Sequence, residues 1–263
     1  MTSWPADLVV IDKGDSILPG TIAKISKANI KTANWDCDEP FGEILPFNRI
    51  QNISEYDAFF SFDEKYVPRL KEINPHSYHL PAGADPQGVY KEVIPLERRP
   101  YPADLCFVGT AYANRINLLL PYAARSLRLA GPKWDQAPSA LAQKSLPHVP
   151  VTEMVKLFND AKIVLNPYGP SKSFICPNPR TFEIPASRSF QLTDMFCDAE
   201  KYFRIGKEIV LYHDENEFKE LVDYYLDRDD ERNKIAQAGY ERVLKEHTLR
   251  HRLQLLLSRM NLG

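Results

Sequence analysis

One pattern constrains this chain more than any other: short apolar, β-branched runs recur along it, and each is followed by a stretch of helical periodicity. Asp7–Asp12 (DLVVID) reads as a first strand of the kind buried inside a parallel sheet. A helix over Pro19–Ala28 follows, then strand-like Ile30–Trp35 and Tyr56–Phe62, a helix near Glu64–Ile73, and Ser77–Leu80. Such a strand–helix–strand rhythm predicts a parallel sheet with right-handed crossovers. Val93–Pro102 (VIPLERRPYP) has no periodic face and reads as a linker.

The rhythm then restarts. Strand Asp104–Gly109 leads to a helix over Asn114–Ser126 and a short strand Leu127–Ala130. Pro132–Val149 is polar and proline-containing, and reads as an excursion loop. Helix Thr152–Ala161, with Thr152 as N-cap, precedes strand Lys162–Asn166. Helix Pro179–Ser187 and strands Phe190–Thr193 and Glu208–Tyr212 come next, then helices Glu215–Leu226, Asp230–Glu246 and Thr248–Met260. The fold class is therefore α/β, with one domain over residues 1–100, a second over 101–263, and a helical C-terminal tail.

Composition narrows the function classes. Hydrophobic residues make up 44% and charged residues 26% of 263, which excludes a disordered, fibrous or coiled-coil chain. Lys+Arg is 33 and Asp+Glu is 35, so no polyanion-binding surface is expected and nucleic acid is not the expected partner. No run approaches 18 apolar residues, and MTSWPADLVVIDKG lacks the charged and apolar regions of a signal peptide. Cys37, Cys106, Cys176 and Cys197 form no CxxC, and a reducing, cytoplasmic setting is the simple reading, with two disulfides the alternative.

The sharpest local feature is Asn178–Glu183 (NPRTFE). Asn178 suits an N-cap and Pro179 the first helical position. Arg180 then falls in the first turn, where the helix dipole favours anions over cations. A bound anion resolves that conflict. Glu183 shares the face of Arg180 and can accept hydrogen bonds from sugar or ribose hydroxyls. The bland reading is an Arg–Glu surface pair. Arg115 repeats the conflict after Gly109 and Thr110, at a strand–Gly–helix junction of the kind that cradles phosphate. GxGxxG is absent, and Ser171-Lys172-Ser173 lacks the glycine of a Walker motif. Asp36, Asp38 and Glu39 follow a strand end and fit acid/base or hydroxyl-binding work, or simply an acidic turn. His79 and Asp85 read as structural. His247 and His251 stand at i,i+4, but HEXXH is absent and no metal is expected there.

Asn178–Asp194 (NPRTFEIPASRSFQLTD), with KIVLN before it and GKEIVLYHDENEFKELVDYYL, ERNKIAQAGYERVLKEHT and HR after it, resembles the CgeB-like glycosyltransferases. Phe107–Arg115 and Asn34–Pro40 (NWDCDEP) match the same pattern. The resemblance implies a GT-B architecture: two Rossmann-like domains, the N-terminal one shortened, the C-terminal one holding a nucleotide-diphosphate sugar. It implies a bacterial enzyme that moves a sugar from that donor to an acceptor hydroxyl with no metal and no cofactor. In that reading Arg115 and Arg180 hold the diphosphate, Gly109 and Thr110 offer backbone contacts, and Glu183 binds donor hydroxyls. Asn114, Asn166 and Thr193 complete the donor side, and Asp36 or Asp38 faces the acceptor as base. Two departures stand out: Ile175 replaces the first carboxylate of the E-x7-E pair common in related enzymes, and Arg188 stands where a small residue is usual. The apolar first strand and the short first half also lead us to expect a homodimer. The alternatives are a non-catalytic nucleotide-sugar-binding or assembly subunit and a structural spore or surface-layer protein.

Overall fold

A computed structural model describes residues 6–41, 47–88, 100–170 and 176–262, with side chains from residue 50 onward in the second stretch. The chain forms two compact units, Met1–Ala82 with Arg252–Gly263, and Gly83–His251.

The first unit holds a four-stranded parallel sheet, β1 (Leu8–Asp12), β2 (Lys31–Asp36), β3 (Ala58–Ser61) and β4 (Ser77–His79), in that order. Helices α1 (Thr21–Lys27), α2 (Phe47–Asn52) and α3 (Val67–Ile73) make the crossovers. Alternation along β3 sends Phe59 into one cluster with Ile22, Ile53 and Leu70, and Phe60 into another with Ala33, Leu80 and Leu256. The strand read as of the buried parallel type, DLVVID, takes the sheet edge among the described residues, with Val10 39% exposed. It pairs with β2 alone among the described residues, so an apolar run here marks an edge and not a centre.

The second unit holds a six-stranded, all-parallel sheet in the order β10-β9-β8-β5-β6-β7. These are β5 (Ala103–Val108), β6 (Leu127–Ala130), β7 (Ser145–Leu146), β8 (Ala161–Asn166), β9 (Gln191–Asp194) and β10 (Val210–Tyr212). Its helices are α4 (Ala113–Leu119), α5 (Ser139–Ala142), α6 (Val151–Asp160), α7 (Pro179–Ala186), α8 (Ala199–Tyr202), α9 (Glu215–Leu226) and α10 (Asp229–Glu246). Paired residues Leu105, Phe107, Leu129, Ile163, Leu165 and Leu192 present one apolar sheet face to Phe218, Val222 and Tyr225 of α9. Gly239 lets α10 press on the main chain, since a Cβ there would stand 2.5 Å from the Glu208 carbonyl oxygen.

Several local expectations change. The excursion loop carries α5 and β7, pinned by Trp134, which is 1% exposed and donates its indole N–H to the Gly109 carbonyl at 2.8 Å. The helix read over Asn114–Ser126 stops at Leu119, where Pro121 brings a tighter turn over Leu120–Tyr122. Thr152 is not the cap of α6: Pro150 takes that position, its carbonyl accepting from Glu153 and Met154. Arg188 adopts φ 57°, a conformation glycine favours, and lays its guanidinium over the Tyr240 ring. The linker reading falls mostly on residues 89–99, outside the described residues, as do Ser171–Ser173 and Ile175. The last helix, α11 (Leu249–Arg259), is not part of the second unit throughout: from Arg252 it belongs to the first, where Leu256 is buried and Arg252 Nε donates to the Ala82 carbonyl at 2.9 Å. No helix among the described residues is long and apolar enough to cross a membrane.

Candidate functional site

Strand order decides where the second unit can bind a ligand. From β5 the chain moves outward through β6 and β7; it then returns to β8 beside β5 and moves the other way through β9 and β10. The crossovers on either side of that reversal diverge, and a crevice opens at the carboxyl ends of β5 and β8. A cavity of about 680 Å³ lies there, lined by Val108, Gly109, Gly131, Asn166, Arg180 and Glu183 among others.

Two of its lining residues are glycines, at the ends of β5 and β6. Gly131 has φ 123°, and a Cβ on it would stand 2.6 Å from the Gly109 carbonyl oxygen. The Gly109 N–H donates to the Ala130 carbonyl at 2.8 Å, so the ends of β5 and β6 remain in ladder contact up to the cavity. Gly131 is thus required by the close approach of the β5 and β6 ends beneath the cavity.

Two guanidiniums line the same cavity. Arg115 donates from Nε to the Pro167 carbonyl and from Nη1 to the Thr110 carbonyl, both at 3.0 Å, and lies over the Phe107 and Tyr112 rings. Both of those acceptors are neutral. Burial, then the neighbouring Arg180 charge, lowers its pKa to about 10. Arg180 Nε is buried with no hydrogen-bond partner among the described residues. Two like charges face each other in one cavity, one of them with an open donor. Such an arrangement is unfavourable until an anion fills it.

The helix carrying Arg180 is capped as its sequence predicts. Asn178 Oδ1 accepts from the Thr181 N–H at 3.1 Å, and the Asn178 and Asn166 amides exchange hydrogen bonds at 3.1 and 3.2 Å. Gly109, Thr110, Arg115, Asn166, Arg180 and Glu183 therefore line one cavity. Asn114 and Thr193 are not among its lining residues: Asn114 Nδ2 donates to the Tyr168 carbonyl, and buried Thr193 donates from Oγ1 to the Asn166 carbonyl. Sequence reading missed Gly131, Tyr112, His148 and the Val149–Val151 segment. Only the positive φ of Gly131 had a local signal, the Gly-Pro step in a presumed loop.

Asp36 and Asp38 lie in the first unit, at the carboxyl end of β2. Asp36 is fully buried, and its Oδ1 accepts from the Asp38 N–H at 3.0 Å. Asp38 pairs with Lys13 Nζ at 2.7 Å, a contact that raises the Lys13 pKa to about 12. No group of three or more His, Cys, Asp or Glu residues among the described residues is arranged to hold a metal ion. His247 Nε2 meets the Tyr202 carbonyl and His251 Nδ1 meets Thr248, so the pair serves two separate contacts. Burial pushes the thiols of Cys37 and Cys106 up to about 11 and 12 respectively, away from the reactive thiolate form.

Comparisons with known proteins identify the family and the fold. A family model described as glycosyl transferase-like matches residues 115–258. Spore protein CgeB of Bacillus subtilis (strain 168) is 27% identical over 282 residues, covering 94% of this chain and 80% of that protein. Among solved structures, an alpha-glucosyltransferase in complex with UDP-glucose and DNA containing an abasic site superposes with a TM-score of 0.70 at 10% identity, over 97% of this chain and 80% of that one. Sucrose-phosphate synthase from Thermosynechococcus elongatus gives 0.65 at 14% identity, over 97% and 73%. Trehalose 6-phosphate synthase from Burkholderia multivorans gives 0.66 at 11% identity, over 98% and 72%. At such identities the likeness is one of fold, and that fold is GT-B.

Proposed function

The chain belongs to the glycosyl transferase-like family, CgeB-like within it, and on that premise we propose that it moves a sugar from a nucleotide-diphosphate donor to an acceptor hydroxyl. The observation that carries this reading is Arg180: a guanidinium with a buried, unpartnered Nε, facing Arg115 across a cavity at the strand-order reversal. In the reaction the bond from the sugar's anomeric carbon to the diphosphate breaks. A new bond forms to the acceptor oxygen, whose proton passes to a base. Negative charge grows on the departing diphosphate. Preorganised guanidiniums hold that charge more strongly in the transition state than in the bound donor. Arg115 and Arg180 would do so without a metal ion, and Glu183 would accept hydrogen bonds from donor hydroxyls.

On the acceptor side we assign Asp38 and Asp36 to one turn. Asp38 keeps 40% of its side chain exposed and can take a proton, while buried Asp36 fixes the turn through the Asp38 N–H. The internal contacts of these two carboxylates also favour a second reading, a nucleotide-sugar-binding or assembly subunit without turnover. Self-association keeps one support, the exposed edge of β1. A cytoplasmic location belongs to the same proposal.

Thermal-shift screening against UDP, GDP, ADP, CMP and dTDP sugars tests the reading. A ligand at 100-fold its Kd stabilises the fold by ~2.7 kcal/mol. A shift with turnover supports the enzyme, and a shift without turnover supports the binding subunit. No shift with any of the five overturns both.

A further inference from the structure

Asp194 closes β9 and is not among the residues lining the cavity, yet it anchors the turn on which the cavity is built. Its Oδ2 accepts the Tyr168 backbone N–H at 2.6 Å. That contact fixes the Pro167–Tyr168 turn at the end of β8. Both carbonyls of the turn hold α4: Pro167 accepts from Arg115 Nε and Tyr168 from Asn114 Nδ2, each at 3.0 Å. The Tyr168 phenol reaches the other way. Its oxygen accepts the Asn178 N–H at 3.3 Å and lies 3.4 Å from Thr181 Oγ1, at the start of the helix carrying Arg180. The Tyr168 ring stacks on Phe196, centroids 6.2 Å apart. One turn is thus bonded to the helix of each arginine, and Asp194 holds its backbone. Burial raises the Asp194 pKa, so keeping a carboxylate at this place has a cost that a purely packing role does not explain.

We propose that Asp194 is a positioning residue for the phosphate-binding pair, acting through the Pro167–Tyr168 turn on Arg115. This rests on reading the cavity as the donor-diphosphate site. Inorganic pyrophosphate, titrated calorimetrically into the full chain, separates the two ideas because it needs no knowledge of base or sugar. Asp194→Ala weakens pyrophosphate binding ~10-fold, the usual size for a charge-assisted hydrogen bond. Asp194→Asn, whose amide oxygen still accepts from Tyr168, restores affinity to within ~3-fold of the parent. Arg115→Ala combined with Asp194→Ala loses less than the sum of the two single losses, because Asp194 acts in large part through Arg115. Parent-like affinity in Asp194→Ala, equal losses in the Ala and Asn variants, or additive losses in the double variant each overturn the proposal. If Asp194→Ala does not fold, Asn114→Ala cuts the other bond to α4 and is expected to weaken binding ~3-fold; unchanged affinity then overturns it. A parent chain that binds no pyrophosphate, or Arg115→Ala and Arg180→Ala variants that bind it normally, sinks the donor-site reading and this proposal with it.

Discussion

The first sheet runs β1-β2-β3-β4 with every step in one direction, whereas the second reverses between β5 and β8. Both carry charged residues at their carboxyl ends, but the charges are engaged differently. In the first unit Lys13 pairs with Asp15 and Asp38, Lys65 with Asp63, and Glu39 accepts from the Tyr66 hydroxyl. In the second, Arg115 donates to neutral carbonyls and feels Asp194 only as a nearby charge, while Arg180 keeps a buried Nε with no partner among the described residues, and both line one cavity. Opposite charges at a sheet edge satisfy themselves; like charges at a reversal do not, and the donor-site proposal rests on that difference. Residue type alone does not separate the two cases, and topology does.

Removing a partnered charge should damage the fold, while removing an unpartnered one should damage binding. The largest effect is expected at Glu208, which is buried and takes hydrogen bonds from Arg204 N, Arg204 Nε and Arg242 Nε. Burial pushes its carboxyl up, but these donors outweigh that and hold it below the usual range. Glu208→Ala should cost ~3–5 kcal/mol of stability, read from denaturant unfolding. Because the folded pKa is depressed, the contribution is present above the unfolded value and lost as pH falls through the folded one. The acid branch of the stability curve, below about pH 5, should therefore be shallower in Glu208→Gln.

Next in size, Arg180→Ala and Arg115→Ala should each weaken binding of a nucleoside diphosphate by ~1–3 kcal/mol; the melting temperature should be unchanged or raised in Arg180→Ala and somewhat lowered in Arg115→Ala, which also loses the bonds to Pro167 and Thr110. Lys13→Ala should leave that affinity alone. A Lys13→Ala loss as large as the arginine losses would break the contrast between the sheets. Gly131→Ala should cost about 2 kcal/mol through its φ and the backbone it would strike. Gly20→Ala in the first unit has a positive φ but open space around it, and should cost about 1 kcal/mol. Equal unfolding midpoints would remove the close approach of β5 and β6 as a constraint. The smallest effect concerns metal: EDTA should leave sugar transfer unchanged, and restoration of lost activity by manganese or magnesium would show that the arginines do not suffice.

Much of the second unit was legible because β5, β8 and β10 are largely apolar runs and α7 and α9 start at recognisable caps. Asn178 with Pro179 gave the start of α7, and Glu215–Leu226 has the bounds its periodicity implied. The conflict between Arg180 and the helix dipole pointed to the cavity before any coordinates did. What stayed hidden depends on contacts distant in sequence. β7 is two residues long and owes its place to Trp134 and the ladder from β6, neither of which leaves a periodic trace. DLVVID reads the same whether it is central or at an edge, because hydrophobicity reports burial on the faces and not pairing along the sides. Tyr168 drew no reading from the sequence, since its part lies in where its N–H, carbonyl and phenol point.

The path of α11 bears on how the protein is made. Leu256 completes a core of the first unit, and Arg252 holds Ala82, so the residues up to Ala82 cannot finish folding until the segment from Arg252 onward has been made. Synthesis runs at about 5–20 residues per second, so the first sheet waits on the order of ten seconds with Ala33, Ala58 and Phe60 lacking their cover. The second unit, by contrast, is complete by His251 and can close first. Nascent chains halted before Arg252 should then carry a protease-resistant second half behind a cleavable beginning, the reverse of the order in which the two were translated.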